Sequence, residues 1–198
     1  MKFHHLHKPL TLLISLTLLA VTVVSVNAAA PATGAYDEFA ASLRDGQAGV
    51  ARGVYVPDVL ALRVEQQPAD DPTSVSPAPD VATQFQSAAA FGVTGLLAHN
   101  TSSGALFFSL ASGQAVRIVY GDGATTPYRV TRIYRFQAVE PDNASSDLID
   151  LSTGATLSPS AVFDLVYTGE DHVTFQTCIA QDGLSNWGRL FVIATPIN

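Results

Sequence analysis

The fold class that this sequence predicts is all-β: a closed or nearly closed antiparallel β barrel with short peripheral helices. Three observations carry that expectation. Apolar segments of strand length recur from residue 53 onward, and several alternate apolar with polar residues. A Gly121-Asp122-Gly123 turn joins two such segments, which is a strong hairpin signal. The helix–strand alternation that a parallel sheet requires is missing. Closure is expected because it removes exposed strand edges.

The first thirty residues differ from the rest. Lys2 and Lys8 flank a polar start, residues 10–26 are almost unbroken apolar sequence, and Val26 and Ala28 have the spacing a signal peptidase accepts. Residues 1–30 are therefore expected to be a signal peptide cut after Ala28. The rival is an uncleaved anchor, since residues 10–30 are long enough for a spanning helix. Either way the body is expected outside the cytoplasm, secreted or held at the cell envelope, and touches a membrane only through that segment.

Residues 31–50 are expected to hold a short helix. Tyr36, Phe39, Ala40 and Leu43 share a face, Asp37 and Glu38 sit in the first turn, Arg44 in the last, and Gly46 comes next as a stop. The barrel domain then occupies 51–198. Residues 53–64 read as extended, broken at Pro57. Residues 67–80 turn to Pro, Asp, Ser and Ala, a long loop within the domain. Residues 93–98 form an apolar strand ending in His99-Asn100. Strands come next at 115–120 and 128–139, and the series is completed by 163–167, 173–179 and 190–195. Residues 142–160 are an inserted loop or extra element.

Composition limits the function. Ten basic against seventeen acidic residues give a formal charge of −7, which disfavours nucleic acid as a partner. Exported chains usually pair their cysteines, yet Cys178 is alone and cannot form an internal disulfide. It is either a small buried apolar residue or a free thiol with a task.

The neighbours of Cys178 favour the task. Within residues 173–178, Thr174, Gln176 and Cys178 face one side of a strand, with Val173, Phe175 and Thr177 on the other. A turn-rich loop leads to a strand opening at Arg189-Leu190. If the two strands pair antiparallel, Arg189 becomes a neighbour of Cys178. A thiol titrates near roughly 8.5, so an adjacent cation and an imidazole both assist its attack. Two histidines lie beyond the leader. His172 is six positions before Cys178 on one strand, about 20 Å away at about 3.3 Å per residue. His99, at the end of a different strand, is the better partner.

These motifs resemble the sortases. An apolar strand, Leu96-Leu97-Ala98, ends in His99. It is followed by the Phe107-Phe108-Ser109-Leu110 segment and a Gly113-Gln114 turn, where the family commonly has an acidic residue after the glycine. Tyr128-Arg129-Val130 resembles the next strand, Thr174-Phe175-Gln176-Thr177-Cys178 the family's Thr-Leu-x-Thr-Cys, and Arg189-Leu190 its arginine. The resemblance covers roughly residues 50–195. It implies a sortase-type barrel and a cysteine transpeptidase, with Cys178 as nucleophile, His99 as acid and base, and Arg189 holding the substrate carbonyl and oxyanion. Thr177 would support substrate binding. The implied partners are a peptide or protein carrying a sorting signal and an amine acceptor such as a cell-wall peptide, with water as the slow alternative. No cofactor and no metal are implied. Asp164, Glu170, Asp171 and His172 read as a solvated loop rather than a metal site.

Two other readings compete. A cysteine transpeptidase acting on peptidoglycan cross-links carries arginine two residues after its nucleophile, where this chain has Ala180. A non-catalytic β-barrel binding module on the same scaffold is the alternative from another class.

Overall fold

In the computed structural model the described residues are Met1 and 33–197. The chain divides into Met1–Ala30 and Pro31–Asn198, and the barrel with its helices lies in the second unit. The expected export segment lies outside the described residues. Among the described residues no helix is long and apolar enough to cross a membrane.

The first element is α1, Thr33–Ser42. Its Tyr36 and Phe39 rings rest on Tyr55, with centroids 5.1 and 6.0 Å away, and Arg117 lies 4.4 Å from the Tyr36 ring centre. Gly53 beneath it is required by contact. A Cβ there would strike the Leu43 side chain and come within 3.0 Å of Phe39.

Strands β1 (Ala51–Val56) and β2 (Leu60–Gln66) form a hairpin. Pro57 sets the turn, and Asp58 takes a positive φ of 60° that aspartate tolerates. In β2 buried residues alternate with exposed ones, as one buried face demands. Residues 67–80 then cross over, so β3 (Val81–Gln84) lies parallel to β2. A single helical turn, α2 (Gln86–Ala89), leads to β4 (Thr94–Leu97), antiparallel to β3. A 3-10 helix, Ser103–Ser109, carries the chain to β5 (Ala115–Tyr120) and β6 (Thr125–Ala138), joined through the expected glycine turn. The inserted region becomes the small strands β7 (Leu148–Asp150) and β8 (Thr156–Leu157) and the start of α3 (Pro159–Tyr167). The long hairpin of β9 (Val173–Gln181) and β10 (Leu184–Pro196) ends the fold.

The sheet runs β10-β9-β4-β3-β2-β1-β5-β6, and β10 also pairs with β6, so eight strands close a barrel; β7 and β8 extend from β6. The all-β barrel with peripheral helices is the architecture expected from sequence. Most pairings are antiparallel. The parallel ones, β2–β3 and β4–β9, join strands separated by long crossings. The strand expected at 163–167 is instead the C-terminal half of α3. Ser158 caps this helix by accepting from the Ala161 amide at 3.2 Å, and Pro159 occupies its first turn. Short apolar runs fit either structure, and here cap and proline decide.

Two apolar clusters result. One fills the barrel, with Val54, Leu62, Leu96, Phe107, Ile118, Tyr128, Phe175 and Val192 at its centre. The other lies outside the wall, where Val162, Val166 and Tyr167 of α3 cover Phe136, Phe191 and Ile193. Burying a side chain such as Val166 contributes about 1.5–3 kcal/mol, which holds so short a helix in place.

Candidate active site

Three neighbouring chain segments bring the expected residues into line. Cys178 on β9 is the direct register partner of Arg189 on β10. On the other side β4 runs parallel to β9, with Leu97 opposite Gln176, and the Ala98 amide continues the ladder to the Gln176 carbonyl at 3.2 Å. His99 follows two residues after Leu97, just past the end of β4 on this side of β9. Arg189 lies beside the cysteine on β10, at the spacing of about 4.8 Å that separates adjacent strands.

Alternation decides the face. Thr177 and Leu190 are register partners and are both buried, Leu190 within the barrel. Cys178 and Arg189 therefore point outward. Leu96 and Ala98 belong to the interior, and His99, just past the end of β4, is exposed. Cys178 is a half-buried free thiol, Arg189 is half-buried and His99 is exposed.

Each flanking side chain is held by backbone. His99 Nε2 lies 3.2 Å from the Val75 carbonyl oxygen. A carbonyl only accepts, so Nε2 carries the proton and Nδ1 is the nitrogen left over in the neutral ring. The loop presenting Val75 is itself pinned. Buried Gln67 donates from Nε2 to the Pro72 and Ser74 carbonyls at 3.0 and 2.9 Å, and its Oε1 accepts from the Gln86 amide at 3.1 Å. The Ser76 amide donates to Thr83 Oγ1 at 2.8 Å. Arg189 Nη1 donates to the carbonyls of Asn186 and Gly188 at 2.8 and 2.9 Å. Asn100 Nδ2 donates to the Ser185 carbonyl at 2.8 Å, tying the segment after His99 to the start of β10 before Arg189. Asn186 Nδ2 ties that start to the Pro141 carbonyl at 2.9 Å.

Thr177 lies on the opposite face of β9 from Cys178. It is 2 % exposed, and its Oγ1 is buried without a hydrogen-bond partner. It packs against Gly104, whose missing Cβ leaves room for that hydroxyl and for the carbonyls of Ala98 and His99. Thr177, expected to support substrate binding, thus faces the barrel interior rather than the side that Cys178 takes. Its strand alternation already opposed it to Cys178. What it backs is the turn that carries His99.

His172 is buried at the start of β9, with Nδ1 2.7 Å from the Glu170 carbonyl and Nε2 3.0 Å from the Val166 carbonyl. Its ring nitrogens are engaged by main chain six residues from the cysteine. Among the described residues no group of three His, Cys, Asp or Glu side chains has metal-binding geometry.

Beside Arg189 a groove of about 230 Å³ opens between the barrel wall, α3 and residues 143–148. Phe85, Val162, Phe163 and Phe191 make it apolar, while Gln176 and Arg189 add polar groups on the barrel side. Sequence reasoning put Gln176 on the cysteine's face. The contributions of Gln67, Val75 and Tyr167 carry no local sequence signal, because each acts through a contact distant along the chain.

The molecule is thus a closed β barrel with a cysteine and an arginine paired on neighbouring strands and an exposed histidine just past the end of the strand on the cysteine's other side. Solved structures similar to this chain include sortase C1 of GBS pilus island 1 (18% identity, 83% of this chain and 79% of that chain, TM-score 0.48). Sortase C-1 from Actinomyces oris (16% identity, 81% and 80%, TM-score 0.47) and sortase A of Listeria monocytogenes (14% identity, 75% and 88%, TM-score 0.45) are similar too. No family model and no curated protein matches the sequence.

Proposed function

We propose that this chain is a sortase-like cysteine transpeptidase, exported to act at the cell envelope. The pairing of Cys178 with Arg189 across β9 and β10, with His99 just past the end of the β4 strand that flanks β9, is the observation that supports this reading. Cys178 passes its thiol proton to His99, and its Sγ attacks a backbone carbonyl carbon in a peptide sorting signal. The C–N bond breaks to leave a thioester as His99 hands that proton to the departing amine. The incoming amine or water then attacks the thioester carbon and gives a proton to His99, the C–S bond breaks, and the proton returns to the departing sulfur. Arg189 holds the carbonyl oxygen and meets the negative charge that grows on it. For this, the guanidinium either reaches the oxyanion through the donors not spent on Asn186 and Gly188 or exchanges those carbonyls for substrate.

The groove beside Arg189 supports the same reading, since an acyl chain extending from Cys178 has an apolar cleft at hand. The acceptor is an amine, such as that of a cell-wall peptide. The test is incubation with a library of sorting-signal peptides and an amine. Release and amine adduct are expected from the native protein and neither from Cys178→Ala. Absence of both from the native protein, with a sulfur inert to thiol reagents, would favour the non-catalytic binding module.

A further inference from the structure

Gln176 occupies the same outer face of β9 as Cys178, two residues away, which is about 7 Å along a strand. Its Oε1 accepts a hydrogen bond from the Tyr167 hydroxyl of α3. Tyr167 is 3 % exposed and enclosed by Phe85, Phe163 and Phe191 at centroid distances of 5.3, 5.3 and 6.2 Å. Burial pushes its phenol well above the ordinary range, so the proton stays on. That proton has one acceptor, Gln176. The reverse arrangement, with the carboxamide donating to the phenol, would leave a buried hydroxyl proton unsatisfied. The direction of this bond therefore fixes the amide: oxygen toward Tyr167, Nε2 away from it. Gln176 and Tyr167 both line the groove, with Arg189 beside them.

We propose that Gln176, oriented by Tyr167, is a specificity-determining residue. The groove then selects, two residues before the scissile bond on the acyl side, a side chain with an apolar stem and a carbonyl-oxygen tip, carboxamide or carboxylate, over an aliphatic one. The apolar walls take the stem, and Gln176 Nε2 donates to the tip. The position relative to the scissile bond rests on the reading of Cys178 as nucleophile.

Peptidyl vinyl sulfones that alkylate Cys178 test this without requiring turnover. Three probes differ only in carrying glutamine, glutamate or norleucine two residues before the electrophile, and iodoacetamide serves as the reference for thiol reactivity in each variant. In the native protein the better of the glutamine and glutamate probes is expected to label about five- to tenfold faster than norleucine, the scale of one added hydrogen bond. The ratio is expected to fall to about one in Gln176→Leu, and for the glutamate probe also in Gln176→Glu, which has no donor for a carboxylate tip, and to drop in Tyr167→Phe, which frees the amide to rotate. A native ratio of one or below, or a preference that persists in both Gln176 variants, overturns the proposal. Should amine adducts never form while the labelling ratio holds, the transpeptidase reading fails and the recognition by Gln176 stands.

Discussion

Cys178 and Arg189 are direct register partners on β9 and β10, on the outer wall of the barrel, and the Arg189 guanidinium is held by carbonyls of the residues just before it at the start of β10. The cation beside the thiol is thus positioned by backbone rather than by a carboxylate that would neutralise it. Arg189→Ala is expected to lower peptide cleavage about 10²- to 10³-fold, as removal of an oxyanion donor does. Arg189→Lys recovers little, because one ammonium cannot bond two carbonyls and still present a planar fork. Steady-state cleavage checks both, with circular dichroism to verify the fold.

Thr177 gives the opposite expectation. Its hydroxyl is buried and unpartnered on the interior side, so Thr177→Val removes an unsatisfied group without changing shape. Stability should be unchanged or rise by about 0.5–1 kcal/mol, with cleavage unaffected. Urea unfolding and cleavage rates together separate this from a substrate-contacting role, in which activity would fall.

Gln67 holds the loop whose Val75 carbonyl meets His99. Gln67→Ala leaves two carbonyls and an amide without that partner and should cost about 1–3 kcal/mol. Its second effect is on the imidazole, which loses its fixed Nε2 partner. Nitrogen chemical shifts of His99 should move from a single tautomer toward a mixture. Retention of one tautomer would dissociate the loop from the histidine.

Asp45 accepts the Gln47 amide at 3.0 Å and Arg52 Nε at 2.7 Å, and these bonds, the amide first, hold its carboxyl below the ordinary carboxylate value. A lowered folded-state value adds stability above the unfolded value that is lost as pH falls through the folded one. Asp45→Asn should therefore lower the urea midpoint at neutral pH, and the two proteins should converge as acid protonates Asp45. Screening at this exposed site keeps the difference small.

Much of the site is written in local pattern. Alternation along residues 173–178 put Cys178 and Gln176 on one face, and a hairpin through turn residues implied Arg189 as neighbour. The parallel docking of β4 on β9 is not local, and it is what carries the segment leading to His99 alongside the cysteine's strand. The run at 163–167 misled because four apolar residues around Asp164 suit a strand or a helix equally. Its helical state is decided by Ser158 and Pro159 just upstream and by the wall of Phe136 and Phe191 it covers. Strand β3 and the turn α2 carry too few residues for any periodicity to register.

Intact-protein mass measurement after mixing with a cleavable sorting-signal peptide probes the proposed chemistry most directly. The expected result is a mass gain equal to the acyl fragment, mapped to Cys178, removed by an added amine and absent from Cys178→Ala. Amine adducts formed undiminished by Cys178→Ala, or no acyl adduct on Cys178 under conditions where peptide is consumed, would contradict it.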